Sequence, residues 1–269
     1  MDSIYAEMDY REDTGLEGHE QYHIRLKRGD IAPVVLVPGD PGRVEKIAAK
    51  LTGSRKIADN RGMVTVSGSY RGCDVSVTST GMGGPSAAIA YEELINCGAQ
   101  ILVRVGSVAA LQPEIAPGDL SLPYACIRDD GATRYYVPDN YPAAADPRLY
   151  QALLDAAAKQ EVALWTGINW THSAFYARSR DYFLQWSRKN VVTLEMEAAT
   201  LMVIGSLRKV ATAFIGTVFE NRILQTRQEK MDLSVVSYKQ EKVARGVEAS
   251  IDIALEGAIN AFLKQKGKD

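Results

Sequence analysis

Short apolar runs, each closed by a glycine or proline turn and followed by an amphipathic stretch, constrain this chain more than any other feature. Residues 34–37 form such a run and end at Pro38-Gly39, which reads as a buried strand. Residues 41 to about 51 read as a helix, with Pro41 in the first turn and Val44, Ile47, Ala48 and Leu51 on one face. Residues 63–70 and 73–80 alternate and meet at Arg71-Gly72, the pattern of a hairpin. A helix over 85–97, a strand over 101–105 and a further strand over 119–123 follow. Residues 147–159 and 195–209 read as helices, and 210–218 returns to strand. Val243, Val247, Ile251, Leu255, Ile259 and Leu263 recur at four-residue spacing, the signature of a long amphipathic helix. Strands alternating with helices imply an α/β fold with a mostly parallel or mixed sheet. The 269 residues contain no repeat, low-complexity tract or linker. One domain is expected over 23–269, behind a polar, acidic extension at 1–22.

Composition excludes several classes. The 31 basic and 33 acidic residues give a net charge of -2, without the basic excess of a nucleic-acid binder. Three scattered cysteines, Cys73, Cys97 and Cys126, form no CxxC pair and fit a reducing compartment. The N-terminus lacks an apolar signal core, and no run approaches the length of a membrane span. A cytoplasmic protein is expected. The histidines, His19, His23 and His172, have no zinc spacing, so no metal is expected. No GxSxG elbow is present.

Four clusters carry chemistry. In Val37-Pro38-Gly39-Asp40-Pro41-Gly42-Arg43 a strand turns through glycines into a helix, where backbone N–H groups and the helix dipole favour an anion. The plain alternative is a strand-to-helix turn with a surface arginine. Arg104 lies inside the apolar run Ile101-Leu102-Val103-Arg104-Val105. A buried charge needs an anionic partner, either a structural carboxylate or a bound phosphate. Gly81, Gly83 and Gly84 could let backbone approach a ligand, or merely turn the chain. Glu195 and Glu197 open an otherwise apolar helix. Glu195 fits a residue that complements the helix dipole. Glu197 fits better a buried acceptor for the hydroxyls of a sugar diol.

VPGDPGRVEKIA, STGMGGPS, ILVRVGS and EMEAATL, in this order, resemble the nucleoside phosphorylase-I family from about residue 22 to the C-terminal helix. Arg128-Asp129-Asp130-Gly131-Ala132-Thr133 looks most like its uridine phosphorylase branch, and His172-Ser173-Ala174-Phe175-Tyr176-Ala177 is closer to archaeal purine enzymes. The resemblance implies an α/β/α sandwich of three layers with a mixed, partly barrel-like sheet. It implies a homodimer, often stacked as a trimer of dimers. It implies phosphate as co-substrate and no cofactor. By resemblance, Gly39, Arg43, Arg104 and Ser107 hold the phosphate, and Arg61 reaches the phosphate of the neighbouring subunit. His23 is lent across the dimer to the ribose 5′-hydroxyl. Met82, Met196 and Glu197 contact the ribose, with Glu197 on the 2′- and 3′-hydroxyls, and Phe175 stacks on the base. A hydrolytic nucleosidase on the same fold needs no arginine cage, and a non-catalytic binder needs neither cage nor Glu197.

The base-reading residues depart from the uridine pattern. The glutamine expected after the Phe-Tyr pair is missing, and Arg180, or Arg178, stands for the arginine that reads the uracil edge. Arg222 belongs to the Asn-Arg pair of uridine enzymes. Glu220 falls where purine enzymes carry an Asp facing N7, either as a general acid or as the ion-pair partner of Arg222 or Arg180. Ala109 replaces a glycine, adding a methyl near the base, and Gly62 replaces an acid that holds a monovalent cation in some uridine enzymes.

Overall fold

The computed structural model describes residues 19–225 and 241–267. Ten strands make one sheet: β1 Val34–Leu36, β2 Thr52–Asn60, β3 Met63–Tyr70, β4 Cys73–Thr78, β5 Ile101–Ala110, β6 Leu120–Asp129, β7 Ala143–Ala144, β8 Leu164–His172, β9 Val191–Glu195 and β10 Ala211–Asn221. The helices are α1 Pro41–Ala48, α2 Gly84–Asn96, α3 Pro147–Ala157, α4 Arg180–Ser187, α5 Ala198–Arg208, the single turn α6 Arg222–Gln225, and α7 Glu241–Gln265.

The strand order is β10-β6-β8-β9-β5-β1-β4-β3-β2, with β7 on β6, and β10 also pairs with β5. That pairing closes β10, β6, β8, β9 and β5 into a five-strand ring. The sheet is mixed. β1 runs parallel to β4 and β5, while β2, β3 and β4 form an antiparallel meander. Strand alternation sorts the core into two layers. Val34 and Leu36 face a cluster that holds α1, α3 and α7, whereas Val35 and Val37 face α2 and α5. The α/β sandwich with a partly closed sheet agrees with the sequence expectation.

Two expected boundaries shift. Residues 195–209 do not form one helix, because Glu195 ends β9 and α5 begins at Ala198 with Glu197 as its N-cap residue. The strand expected over 119–123 begins at Leu120 and runs on to Asp129. Most of the expected 1–22 extension lies outside the described residues.

Candidate active site

The ends of β1, β4 and β5 converge on the starts of α1, α2 and α5. At α1, Asp40 caps the helix by accepting from Gly42 N at 2.9 Å. This cap aims buried Arg43 inward, where it donates to the Val105 carbonyl at 3.2 Å and to Ser107 Oγ at 2.9 Å. Two of the residues expected at one anion site therefore touch directly.

Arg104 is 4% exposed, and of the two kinds of partner left open by the sequence the structure shows the carboxylates. Its Nε donates to Glu195 Oε2 at 3.1 Å, and its Nη2 donates to Glu197 Oε2. Its Nη1 is buried and has no partner among the described residues. A Cβ on Gly39 would stand 3.7 Å from that Nη1 and 3.1 Å from the Gly81 carbonyl. Glycine at position 39 thus keeps open the approach to the one unpaired nitrogen of the guanidinium.

The two glutamates differ in kind. Glu195 accepts from Asn169 Nδ2 and Thr171 Oγ1 through one oxygen, and from Arg104 and the N–H groups of Glu197 and Ala198 through the other. Every lone pair is occupied, and it secures the start of α5. Glu197 accepts from the Gly83 N–H, at 2.5 Å, and from Arg104. Gly83 sits at φ 88, a left-handed conformation that glycine adopts without strain. Burial, opposed by Arg104 and reinforced by Glu195, raises the Glu197 pKa above the usual carboxylate value. Met196 lies between the two, half-buried, and Met82 is exposed between Gly81 and Gly83.

A second cluster surrounds Phe175. The Arg178 guanidinium lies 4.9 Å from its ring centre and that of Arg222 lies 5.8 Å away. Arg178 and Arg222 are buried, and the Nε of each lacks a partner among the described residues. Glu220 pairs with Arg222 Nη2 and accepts from Gln225 Nε2 at 3.3 Å. Arg180 is a correction: it is exposed at the first position of α4, and Arg178 is the arginine beside Phe175. Ser179 caps α4, accepting from Tyr182 N at 3.3 Å, between the buried Arg178 and the exposed Arg180.

His23 and Arg61 share a surface patch. Glu93 accepts from His23 Nδ1 at 2.6 Å and from the N–H groups of His23 and Ile24. Asn60 donates to the His23 carbonyl at 2.7 Å. Arg61, exposed at the β2–β3 turn, lies 5.4 Å from the Tyr22 ring. Sequence reasoning missed Glu93, whose signal is an acid in the apolar helix Ala87-Ala88-Ile89-Ala90-Tyr91-Glu92-Glu93-Leu94.

Residues 33–256 match the model of the phosphorylase superfamily. The chain is 41% identical over 216 residues to a uridine phosphorylase of Thermococcus kodakarensis, covering 76% of this chain and 78% of the relative. It is 36% identical over 234 residues to a purine nucleoside phosphorylase of Plasmodium vivax, covering 80% and 94% respectively. The purine nucleoside phosphorylase of Toxoplasma gondii, solved with immucillin-H, superposes with a TM-score of 0.83 at 31% identity, covering 92% of this chain and 98% of that one.

Proposed function

The chain belongs to the phosphorylase superfamily, and from that premise we propose that it cleaves nucleosides with inorganic phosphate, releasing the base and ribose 1-phosphate, with uridine as the preferred substrate. It is an enzyme of nucleoside phosphorolysis, and its relatives include both uridine and purine phosphorylases. The observation that carries the phosphate step is the buried, unpaired Arg104 Nη1 beside Gly39. A buried guanidinium nitrogen with no protein acceptor calls for an oxyanion.

In this reading Gly39, Arg43, Arg104 and Ser107 hold the phosphate beneath C1′. Glu197 accepts hydrogen bonds from the ribose 2′- and 3′-hydroxyls, with Met82 and Met196 against the sugar. As the glycosidic bond stretches, the ribose gains positive charge, and the fixed dianion stabilises it before attacking. The base departs with the bonding electrons. Arg178 and Arg222 around Phe175 offer it cationic donors, which suits a uracil anion with its two carbonyl oxygens. Glu220 argues against a purine-type general acid, since both its oxygens are engaged by Arg222 and Gln225. His23 and Arg61 serve the site of a second copy, so the working unit is a homodimer, assembled as a trimer of dimers in a reducing cytoplasm. Phosphate is the co-substrate, and no cofactor takes part.

The test is base release from uridine, inosine, adenosine and methylthioadenosine, with and without phosphate. Uridine should be cleaved fastest, and only with phosphate. Release that survives the removal of phosphate would make the protein a hydrolase. A purine nucleoside cleaved faster than uridine would overturn the base assignment alone.

A further inference from the structure

We infer that His172 reads the ring N–H of the base, so that the site selects bases with an imide or lactam edge over those with an amidine edge. This deepens the nucleoside reading above and rests on it. β8 ends at His172, three residues before Phe175. Its Nδ1 lies 2.7 Å from Asp129 Oδ2. A carboxylate only accepts, so Nδ1 carries the proton and Nε2 of the neutral ring is an acceptor. Trp170 Nε1 donates to the same Asp129 oxygen at 3.1 Å, and the Trp170 ring packs on the imidazole at 4.7 Å. The imidazole is therefore fixed in both tautomer and orientation. Its Nε2 is buried and has no partner among the described residues.

Two atoms beside Phe175 share that condition. Arg178 Nε and Arg222 Nε are buried donors with no acceptor, on guanidiniums 4.9 Å and 5.8 Å from the Phe175 ring. The His172 carbonyl accepts from Arg178 Nη2 at 3.1 Å, so the histidine also sets that arginine. The unpaired groups are thus one acceptor and two donors. The uracil edge O2, N3–H, O4 is acceptor, donor, acceptor, their complement. Cytosine presents a ring acceptor where uracil presents N3–H, and adenine does the same at N1. Hypoxanthine and guanine share the N–H and one carbonyl. The loop 173–181 contains no Asn or Gln, so no amide there competes for this task.

The experiment is phosphorolysis of uridine and cytidine by the wild type, His172→Phe, His172→Gln and Asp129→Asn, with the phosphate KM measured for each. His172→Phe should lose on the order of 10- to 100-fold in kcat/KM for uridine. Its phosphate KM should stay unchanged, and its uridine-to-cytidine ratio should fall by the same factor. His172→Gln keeps an acceptor and should recover most of the ratio. Asp129→Asn frees the tautomer and should lower the ratio partway, which provides a second reading if His172→Phe does not fold. An unchanged ratio in both His172→Phe and Asp129→Asn, or equal losses in the Phe and Gln variants, would reduce His172 to a packing residue and overturn the inference. If the wild type cleaves inosine but not uridine, the base assignment above fails instead. Inosine against 1-methylinosine then puts the same question to His172: a methyl penalty that persists undiminished in His172→Phe overturns the inference.

Discussion

Arg104 and Arg178 are both buried guanidiniums, yet Arg104 lies against the carboxylates of Glu195 and Glu197 while Arg178 has the cation Arg222 nearby. Burial draws both pKa values down. At Arg104 the attraction of Glu197 and then Glu195 more than offsets burial, and the proton is held more tightly than in water. At Arg178 burial and then Arg222 prevail, and the pKa falls to about 10. The first arginine is therefore part of the folded framework, with a single nitrogen left for a ligand. The second is held at a cost to the fold, which a bound acceptor would relieve. Under the proposed function, that division serves a site that grips phosphate in every cycle and releases a variable base.

Replacing each arginine by methionine tests the contrast. Arg104→Met strands two buried carboxylates, so the protein should lose about 3–5 kcal/mol of stability. Turnover should fall by roughly three orders of magnitude, read by phosphorolysis and thermal melting together. Glu197→Gln should follow, with kcat/KM for uridine down on the order of 100-fold. The Glu197 pKa is raised in the fold, so between 4.5 and that raised value the native state binds more protons than the unfolded chain. Stability from this group therefore declines as pH rises through the window, while activity, which needs the ionised form, climbs. Melting curves against pH should lose that slope in Glu197→Gln. Arg178→Met should cost about 10-fold in nucleoside KM, spare the phosphate KM, and stabilise the free protein by about 1 kcal/mol. Above about 10 the unfolded chain holds the Arg178 proton more firmly than the folded one, so this residue's penalty fades as pH rises. A methionine variant less stable than the wild type would erase the distinction between the two arginines.

The Arg104 cluster was legible in the sequence because a charge inside an apolar strand is a strong local anomaly. The Phe175 cluster was not, because Arg178 and Arg180 flank Ser179 with no pattern to rank them. In the fold, Arg178 is buried and Arg180 stands exposed at the first position of α4. The same limit hid several strands. β2 is the sheet's edge and its first five residues are exposed, so no apolar alternation marks it. In β8, Asn169 and Thr171 turn inward to Glu195, a buried polar network that inverts the usual apolar-in pattern. Glu195 itself was read correctly as serving the α5 N-terminus, but a sequence cannot show that five donors saturate it.

The smallest effect should come from Glu220→Gln. The sequence left Glu220 either as an acid for a purine leaving group or as an ion-pair partner, and in the fold it lies against Arg222 and Gln225. An amide there still accepts from a guanidinium but brings no charge, so Arg222 remains buried with weaker compensation. Burial already lowers the Arg222 pKa against the pull of Glu220, and the variant should lower it further. Stability should drop by about 1–2 kcal/mol. The kcat/KM for uridine and inosine should change together, by a few-fold at most. A loss confined to inosine would mean that Glu220 leaves Arg222 when a purine binds and donates a proton to it. The two arginine clusters would then differ in chemistry as well as in how the fold holds them.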